Sequence, residues 1–423
     1  MTTKKIAHHD AKLGILDHCQ ISGSKKLFEG IDLGHQPPCS ALLTEKTLRE
    51  PETHYPLRLM ICPESGLGQL DYVVDGKILF PIEYSYRPGI TPPLKDHLGL
   101  LAGEIVDKLN LKEKSLCVDV GSNDGTLLSF FRTHGMRVAG VEPTNMAKVA
   151  VKELKIPTIQ KFFTEAVAKE VVKKHGKAQV VTFTNVFAHI SALGEVMRGI
   201  TRLLDKDGVA VTESQYLLDV FEGGQFDQAY HDHIRIYSLK SLVKLFQYYG
   251  MEVFDAKRAK GREGSIRVYA GWKGAHPINK SVKDLLAVEE KSGMFTEKGW
   301  AKFRKNVERA RLQLLDLAHK ARKEGKLFVA DSAPTRGVVL MNYYGLDKTL
   351  VPYISNLPKA EKNGKFVPGT HNPIVSNEII LKDKPDYILI LAWHYADFII
   401  KNWKAKGVKA KFVIPLPEFK IID

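Results

Sequence analysis

The sequence predicts an α/β protein with two regions of alternating strands and helices, preceded by a small irregular N-terminal module. From about residue 95, apolar β-branched runs alternate with stretches of helical spacing, the rhythm of a parallel sheet with crossover helices. A second alternation of the same kind begins after residue 325. At 423 residues the chain exceeds one ordinary core, so two or three domains are expected.

Residues 1–75 hold three of the four cysteines, the Pro37-Pro38 turn and short apolar runs, which suggests a loop-rich module. Residues 80–98 carry Tyr84, Tyr86, Pro88, Pro92 and Pro93 and read as an ordered loop rather than a helix. The first α/β region then runs strand 116–120, helix 126–133, strand 137–141, helix 146–154, strand 178–184, helix 193–204 and strand 208–213. A helix over 239–249 ends on Gly250, a plausible C-cap. The period-two run 266–272 closes that sheet. A Lys/Arg-rich amphipathic helix over 295–323 connects to the second region: strand 326–330, helix 337–344, strands 350–354 and 387–392, helix 396–406 and strand 411–415. Expected boundaries are 1–75, 76–285 and 286–423.

A net charge of +14 favours anionic partners, nucleic acid and nucleotide-linked metabolites among them. The lysines are spread over helix surfaces (Lys169, Lys173, Lys174, Lys302, Lys305). No block of five like charges or aromatic-and-basic stripe occurs, which disfavours nucleic acid. Four cysteines do not make a disulfide framework. The N-terminus lacks the apolar core of a signal peptide, and no stretch approaches the roughly 18 apolar residues of a membrane span. A cytoplasmic location is expected.

Two segments carry chemistry. Asp119-Val-Gly121-Ser-Asn123-Asp124-Gly125 lies between a predicted strand and a predicted helix. Glycines there allow a ligand close to the backbone, and the helix N-terminus offers free N–H groups. Glu142 ends the next strand, where a carboxylate can accept both hydroxyls of a ribose. The loop is not G-x-G-x-x-G and resembles instead the glycine loop of class I S-adenosylmethionine-dependent methyltransferases. The second segment, Tyr230-His-Asp-His233, is a compact acid–base cluster suited to proton transfer.

Gly121-Ser-Asn-Asp-Gly-Thr-Leu-Leu128, Val141-Glu-Pro143, Asn185-Val-Phe-Ala-His-Ile190, Tyr230–His233 and Ser265-Ile-Arg267 resemble the sugar C-methyltransferases. So do Pro368-Gly-Thr-His371, Lys384-Pro-Asp386, Leu391-Ala-Trp-His394 and Val413-Ile-Pro415. These enzymes act on nucleotide-linked 4-keto-deoxysugars. The resemblance implies a zinc-binding N-terminal module, a central class I methyltransferase Rossmann-like domain and a C-terminal Rossmann-like domain that helps hold the nucleotide-sugar.

It also assigns roles. His233, with an ordinary pKa of about 6.5, is the expected base that removes the proton next to the ketone. Tyr230 assists it, and Asp232 replaces the usual glutamate and contacts a sugar hydroxyl or orients a partner. His231 gains no role. His189, at the mouth of the sheet, is expected to donate to the ketone oxygen. Asn185 and Phe187 are expected beside S-adenosylmethionine together with Asp119, Gly121, Asn123, Asp124, Gly125, Glu142 and Pro143. Tyr84 and Tyr86 are candidates to line the sugar pocket or cover the cofactor, while packing explains them about as well. Arg267, Lys365 and His371 are candidates for the diphosphate, a solvated surface being the equal alternative for each. His394 marks a possible C-terminal site.

Where the family has two Cys-x-x-Cys pairs, this chain reads Cys19-Gln-Ile-Ser22 and Cys62-Pro-Glu-Ser65. Serine is a poor zinc ligand and tetrahedral zinc needs about four Cys or His. His18, His35 and Cys39 have no spacing that completes a set, so no metal is expected. In Ala330-Asp-Ser-Ala-Pro-Thr-Arg-Gly337, Ala330 and Ser332 stand where glycines are usual, and the Asp331 carboxylate is expected to repel phosphate. Arg336 replaces a common lysine and can still pair with phosphate. Glu263 likewise stands where the family prefers glycine. Two alternatives stay open: an O- or N-methyltransferase on a related sugar, and a non-catalytic binder of nucleotide-sugar or S-adenosylmethionine.

Overall fold

A computed structural model describes residues 6–80, 87–90, 92–259 and 264–423. Its central sheet has seven strands in the order Met251–Ala259, Ser265–Trp272, Leu204–Gln215, Ala178–Thr184, Leu116–Val120, Arg137–Val141 and Thr158–Ile159. Ser265–Trp272 runs antiparallel to both neighbours, and the strands from Leu204–Gln215 to Thr158–Ile159 are parallel. Every residue of Leu116–Val120 is buried, as a parallel strand covered on both faces must be. The run 266–272 does not close the sheet, because Met251–Ala259 lies outside it as the edge strand.

Part of the expected loop over 80–98 is helical. Helix Pro92–Lys108 opens with two prolines in its first turn, where a missing N–H costs nothing. It buries Leu94, Leu98, Leu101, Ala102 and Ile105 along one side. The expected boundary at 285/286 falls inside helix Lys280–Ser292. That helix is fixed to the central domain by Glu289, which accepts from Tyr216 Oη (2.8 Å), Leu239 N (2.5 Å) and Lys240 N (3.0 Å).

The N-terminal module is more regular than its sequence suggests. It contains a four-stranded antiparallel sheet ordered Arg235–Ile236, Leu67–Leu70, Tyr55–Cys62, Phe28–Gln36. Its edge strand therefore comes from the central domain, just past the acid–base cluster. The long helix Glu297–Lys323 packs across Phe28–Gln36. There Arg304 Nη1 donates to the carbonyls of Glu29 (2.5 Å) and Gly30 (3.1 Å), beside the fully buried Trp300.

The C-terminal sheet runs Ile374–Ser376, Ile354–Asn356, Phe328–Asp331, Tyr387–Ile390, Lys411–Ile414, Lys420–Ile422, with only the last pair antiparallel. Chain order reverses between Phe328–Asp331 and Tyr387–Ile390, the place where open α/β sheets bind ligands. One continuous apolar core joins all three regions, from Cys19 and Leu59 through Phe183 to Leu389. Among the described residues, no helix is long and apolar enough to cross a membrane.

Candidate active site

The loops after Leu116–Val120, Arg137–Val141 and Ala178–Thr184 enclose a cavity of 240 Å³. Asp119, Gly121, Asn123, Glu142, Pro143 and Asn185, all expected from the sequence, line it. Gly121 has φ +70, and a Cβ there would lie 2.4 Å from Val186 Cγ2, so the loop requires glycine on both counts. Glu142 ties the corner together: Oε2 accepts from Asn123 N (3.0 Å), while Oε1 accepts from Thr144 N (2.9 Å) and Oγ1 (2.7 Å). Asp119 Oδ1 accepts from Thr182 Oγ1 (2.6 Å). Burial, with the nearby Glu142 charge, raises the Asp119 carboxyl to about 7.

Three expected cofactor residues lie elsewhere. Asp124 caps helix Thr126–Thr133 through Thr126 Oγ1 (2.6 Å) and N (3.3 Å), and its other oxygen accepts from Gly89 N (3.1 Å). Gly125 is the left-handed N-cap of that helix, at φ +80. Phe187 is a core residue, fully buried and stacked on Tyr237 at 5.3 Å. In exchange the cavity gains Leu94, Leu98, Thr144, Phe162, Phe163 and Val186. Of these Phe162 is half exposed. An aromatic just after the short strand Thr158–Ile159 is the one sequence signal that could have found it.

His189 lines the same cavity, and its ring lies 5.0 Å from that of His233, which in turn lies 4.0 Å from the Tyr230 ring. His233 Nδ1 donates to the Gln228 carbonyl (2.9 Å), which leaves Nε2 as a lone-pair acceptor. Burial first, then His189 and Arg336, holds this histidine well below its ordinary value, so it is neutral near pH 7. His189 is also held low by burial, and its Nδ1 donates to the Asp232 carbonyl (2.6 Å). A neutral ring with its proton there has none to offer a ketone, so the expected donor role does not fit this geometry. The Asp232 carboxyl is buried, has no hydrogen-bond partner at Oδ1 among the described residues and is raised by burial to about 7. His231 Nε2 bonds the Pro56 carbonyl (3.2 Å) and anchors the N-terminal module.

The candidate cations are placed unequally. Arg267 is buried between Glu213 (Nε–Oε2 2.6 Å) and Glu104 (Nη1–Oε2 2.7 Å), so its charge is already neutralised. His371 pairs with Glu52 at a separate surface cavity shared with Leu48 and Phe366. Arg336 faces the cluster: its Nε lies 3.0 Å from Asp227 Oδ2, and its guanidinium lies 4.8 Å from the Trp393 ring centroid. His394 follows Trp393 and is brought down to about 3 by burial and the Arg336 charge. Lys365 is partly buried, and its neighbour Lys362, absent from the sequence candidates, donates from Nζ to the Ala333 carbonyl (2.7 Å). Asp331 turns inward to Ser355 and to Trp403 Nε1 (3.0 Å), which removes the expected repulsion of phosphate. Tyr84, Tyr86 and Glu263 lie outside the described residues.

The four positions that the resemblance assigns to zinc do converge. Cys19 Sγ lies 3.1 Å from Ser65 Oγ, and Ser22 Oγ lies 3.5 Å from Cys62 Sγ. Both Ile21 N and Ser22 N donate to Cys19 Sγ (3.4 Å each). The Cys19 thiol, with the serine hydroxyls, brings Cys62 down to about 5, while Cys19 itself is raised by Cys62 and by burial. Two thiols and two hydroxyls bonded to one another are not the donor set of tetrahedral zinc. Among the described residues no group of three His, Cys, Asp or Glu could hold a metal.

The strand order with its one reversed strand, the glycine loop after the first parallel strand and the carboxylate ending the second define a class I S-adenosylmethionine-dependent methyltransferase. Family models agree, matching a methyltransferase domain over 96–256, a zinc binding domain over 19–80 and a C-methyltransferase C-terminal domain over 260–417. The chain is 33% identical over 411 residues to C-methyltransferase NovU of Streptomyces niveus, covering 96% of this chain and 97% of that one. It belongs to the C-methyltransferase family.

Among solved structures, it is similar to a SAM-dependent methyltransferase from Anabaena variabilis (14% identity, 42% of this chain, 86% of that one, TM-score 0.33). A second is magnesium protoporphyrin IX methyltransferase from Synechocystis with bound SAM (14% identity, 46% and 88%, TM-score 0.33). The residues present suit the cofactor. Gly121 leaves its backbone bare to the cavity, and Glu142, with two oxygens at the strand end, is the acceptor a ribose diol needs.

Proposed function

We propose that this C-methyltransferase acts on a nucleotide-linked keto-deoxysugar and that His233 deprotonates the carbon next to the ketone. The observation that supports this best is the tautomer of His233: its only ring proton is held by the Gln228 carbonyl. Nε2 is thereby left as a base, in a ring packed against His189 at the cofactor cavity. Taking the α-proton on Nε2 sends the C–H electron pair into the enolate, and the proton stays on the imidazole until released. Tyr230, against the His233 ring and within the field of Arg336, is better placed than His189 to donate to the enolate oxygen. The buried Asp232 carboxyl, with an unmet oxygen, suits a sugar hydroxyl. S-adenosylmethionine, when bound, supplies the electrophilic methyl group for the nucleophilic carbon. The buried setting of His233 excludes water that would quench the enolate.

Two measurements test this. Incubation with nucleotide-linked keto-sugars in deuterated solvent, without methyl donor, is expected to exchange the α-proton. His233→Ala is expected to abolish both exchange and turnover while S-adenosylmethionine affinity stays within about threefold. An active protein that never exchanges the proton would instead be methylating oxygen or nitrogen, and activity retained in His233→Ala would overturn the base assignment.

A further inference from the structure

We infer that Lys362, acting with the N-terminus of helix Thr335–Tyr344, is the residue that anchors the diphosphate of the substrate; this rests on the nucleotide-sugar reading above.

The basis is a comparison of cations. Arg267 is neutralised by two carboxylates and Arg336 is paired with Asp227. Lys362 has no carboxylate partner among the described residues. Its ammonium carries three N–H groups, and the Ala333 carbonyl satisfies one of them. The residue is partly exposed, but its charged end is turned inward, and burial, with the like charge of Lys365, brings it down to about 8. A buried cation with spare donors and no counter-charge is stabilised by a bound anion. Arg235 is also buried without a carboxylate, but Gln20, Tyr237 and the carbonyls of Phe187 and Ile190 occupy its donors; it has no need of a ligand.

Position points the same way. Ala333 lies in the loop after Phe328–Asp331, two residues before helix Thr335–Tyr344. That loop stands at the order reversal of the C-terminal sheet, where first-turn N–H groups of a helix favour an anion. Lys362 comes in from the separate segment between Ile354–Asn356 and Ile374–Ser376. Arg336, in the first turn of that helix, lies 3.0 Å from Asp227 Oδ2, and Asp227 precedes Gln228, whose carbonyl holds His233. The loop that Lys362 bonds therefore leads into the helix whose first turn adjoins the residues holding His233, and a sugar at His233 would extend its diphosphate along that path to Lys362. Asp331, the carboxylate that would oppose it, is turned away.

The test compares the full-length protein with Lys362→Met and Lys362→Arg. Titration with uridine diphosphate, thymidine diphosphate, inorganic pyrophosphate and the uncharged nucleosides reads binding, and steady-state kinetics on the nucleotide-sugar reads KM and kcat. Lys362→Met is expected to weaken diphosphate binding and raise KM at least tenfold, with kcat changed less than threefold and S-adenosylmethionine affinity unchanged, which also reports folding. Lys362→Arg is expected to recover part of the loss, and uncharged nucleosides to show no difference. If wild-type affinity survives in Lys362→Met, the assignment of Lys362 falls alone. Wild-type protein that binds S-adenosylmethionine but no diphosphate overturns the nucleotide-sugar reading with it.

Discussion

At the scale of single residues, the site separates its histidines by their partners. The three in or beside the cluster all bond backbone carbonyls, and burial favours the neutral form of each. The sign of that shift makes a prediction about rate. A base whose pKa is lowered is already unprotonated at the ordinary value of 6.5, so its active fraction barely changes between pH 8 and 6.5. The acid limb of kcat is expected to begin below pH 6.5, measured under saturating substrates; a kcat that has halved by 6.5 would contradict the shift. Much of this was legible in the sequence, since motif and spacing singled out His233, Gly121 and Glu142. What the sequence hid was direction. Asp124 and Phe187 sit beside true cavity residues in the chain but point into a helix cap and the core, and His189 is oriented by a carbonyl that no motif encodes.

At the scale of elements, regular alternation was the readable part. The strands Leu116–Val120, Arg137–Val141 and Ala178–Thr184 and the helices Thr126–Thr133 and Met146–Leu154 appear where apolar periodicity places them, whereas helix Glu165–His175 before the last of these strands was not expected. Helix Pro92–Lys108 was hidden by its own prolines, which are tolerated at a first turn and read as breakers elsewhere. The N-terminal strands were hidden because their sheet is completed from far along the chain, a pairing that local pattern cannot show. The buried Arg235 belongs to that pairing. Its donors satisfy the carbonyls of Phe187 and Ile190 and the Gln20 side chain. Arg235→Leu strips several buried acceptors at once and is expected to cost about 3–5 kcal/mol. Chemical denaturation measures it, and a loss under about 1 kcal/mol would show that the site relaxes around leucine.

At the scale of the whole molecule, the four positions expected from the resemblance to hold zinc converge without a zinc ligand set. Hydrogen bonds among Cys19, Ser22, Cys62 and Ser65 replace coordination, and the surrounding core of Ile21, Leu59, Ile61 and Leu67 provides the burial a small module otherwise obtains from a metal. A zinc chelator is therefore expected to leave the melting temperature unchanged. The double variant Ser22→Cys/Ser65→Cys, by contrast, is expected to bind one zinc ion per chain, counted by mass spectrometry of the intact protein. No zinc uptake by that variant would mean that the two turns are no longer arranged to coordinate.

The strand Arg235–Ile236 that edges the N-terminal sheet also sets a timetable for synthesis. Leu67–Leu70 leaves the ribosome long before its partner is made, so through much of translation it carries a bare edge, the kind of surface on which chains pair wrongly. The module matures only when the segment next to the proposed base arrives. A nascent chain halted short of residue 236 would be a client for chaperones, and one released after it would acquire its N-terminal sheet and its acid–base cluster together.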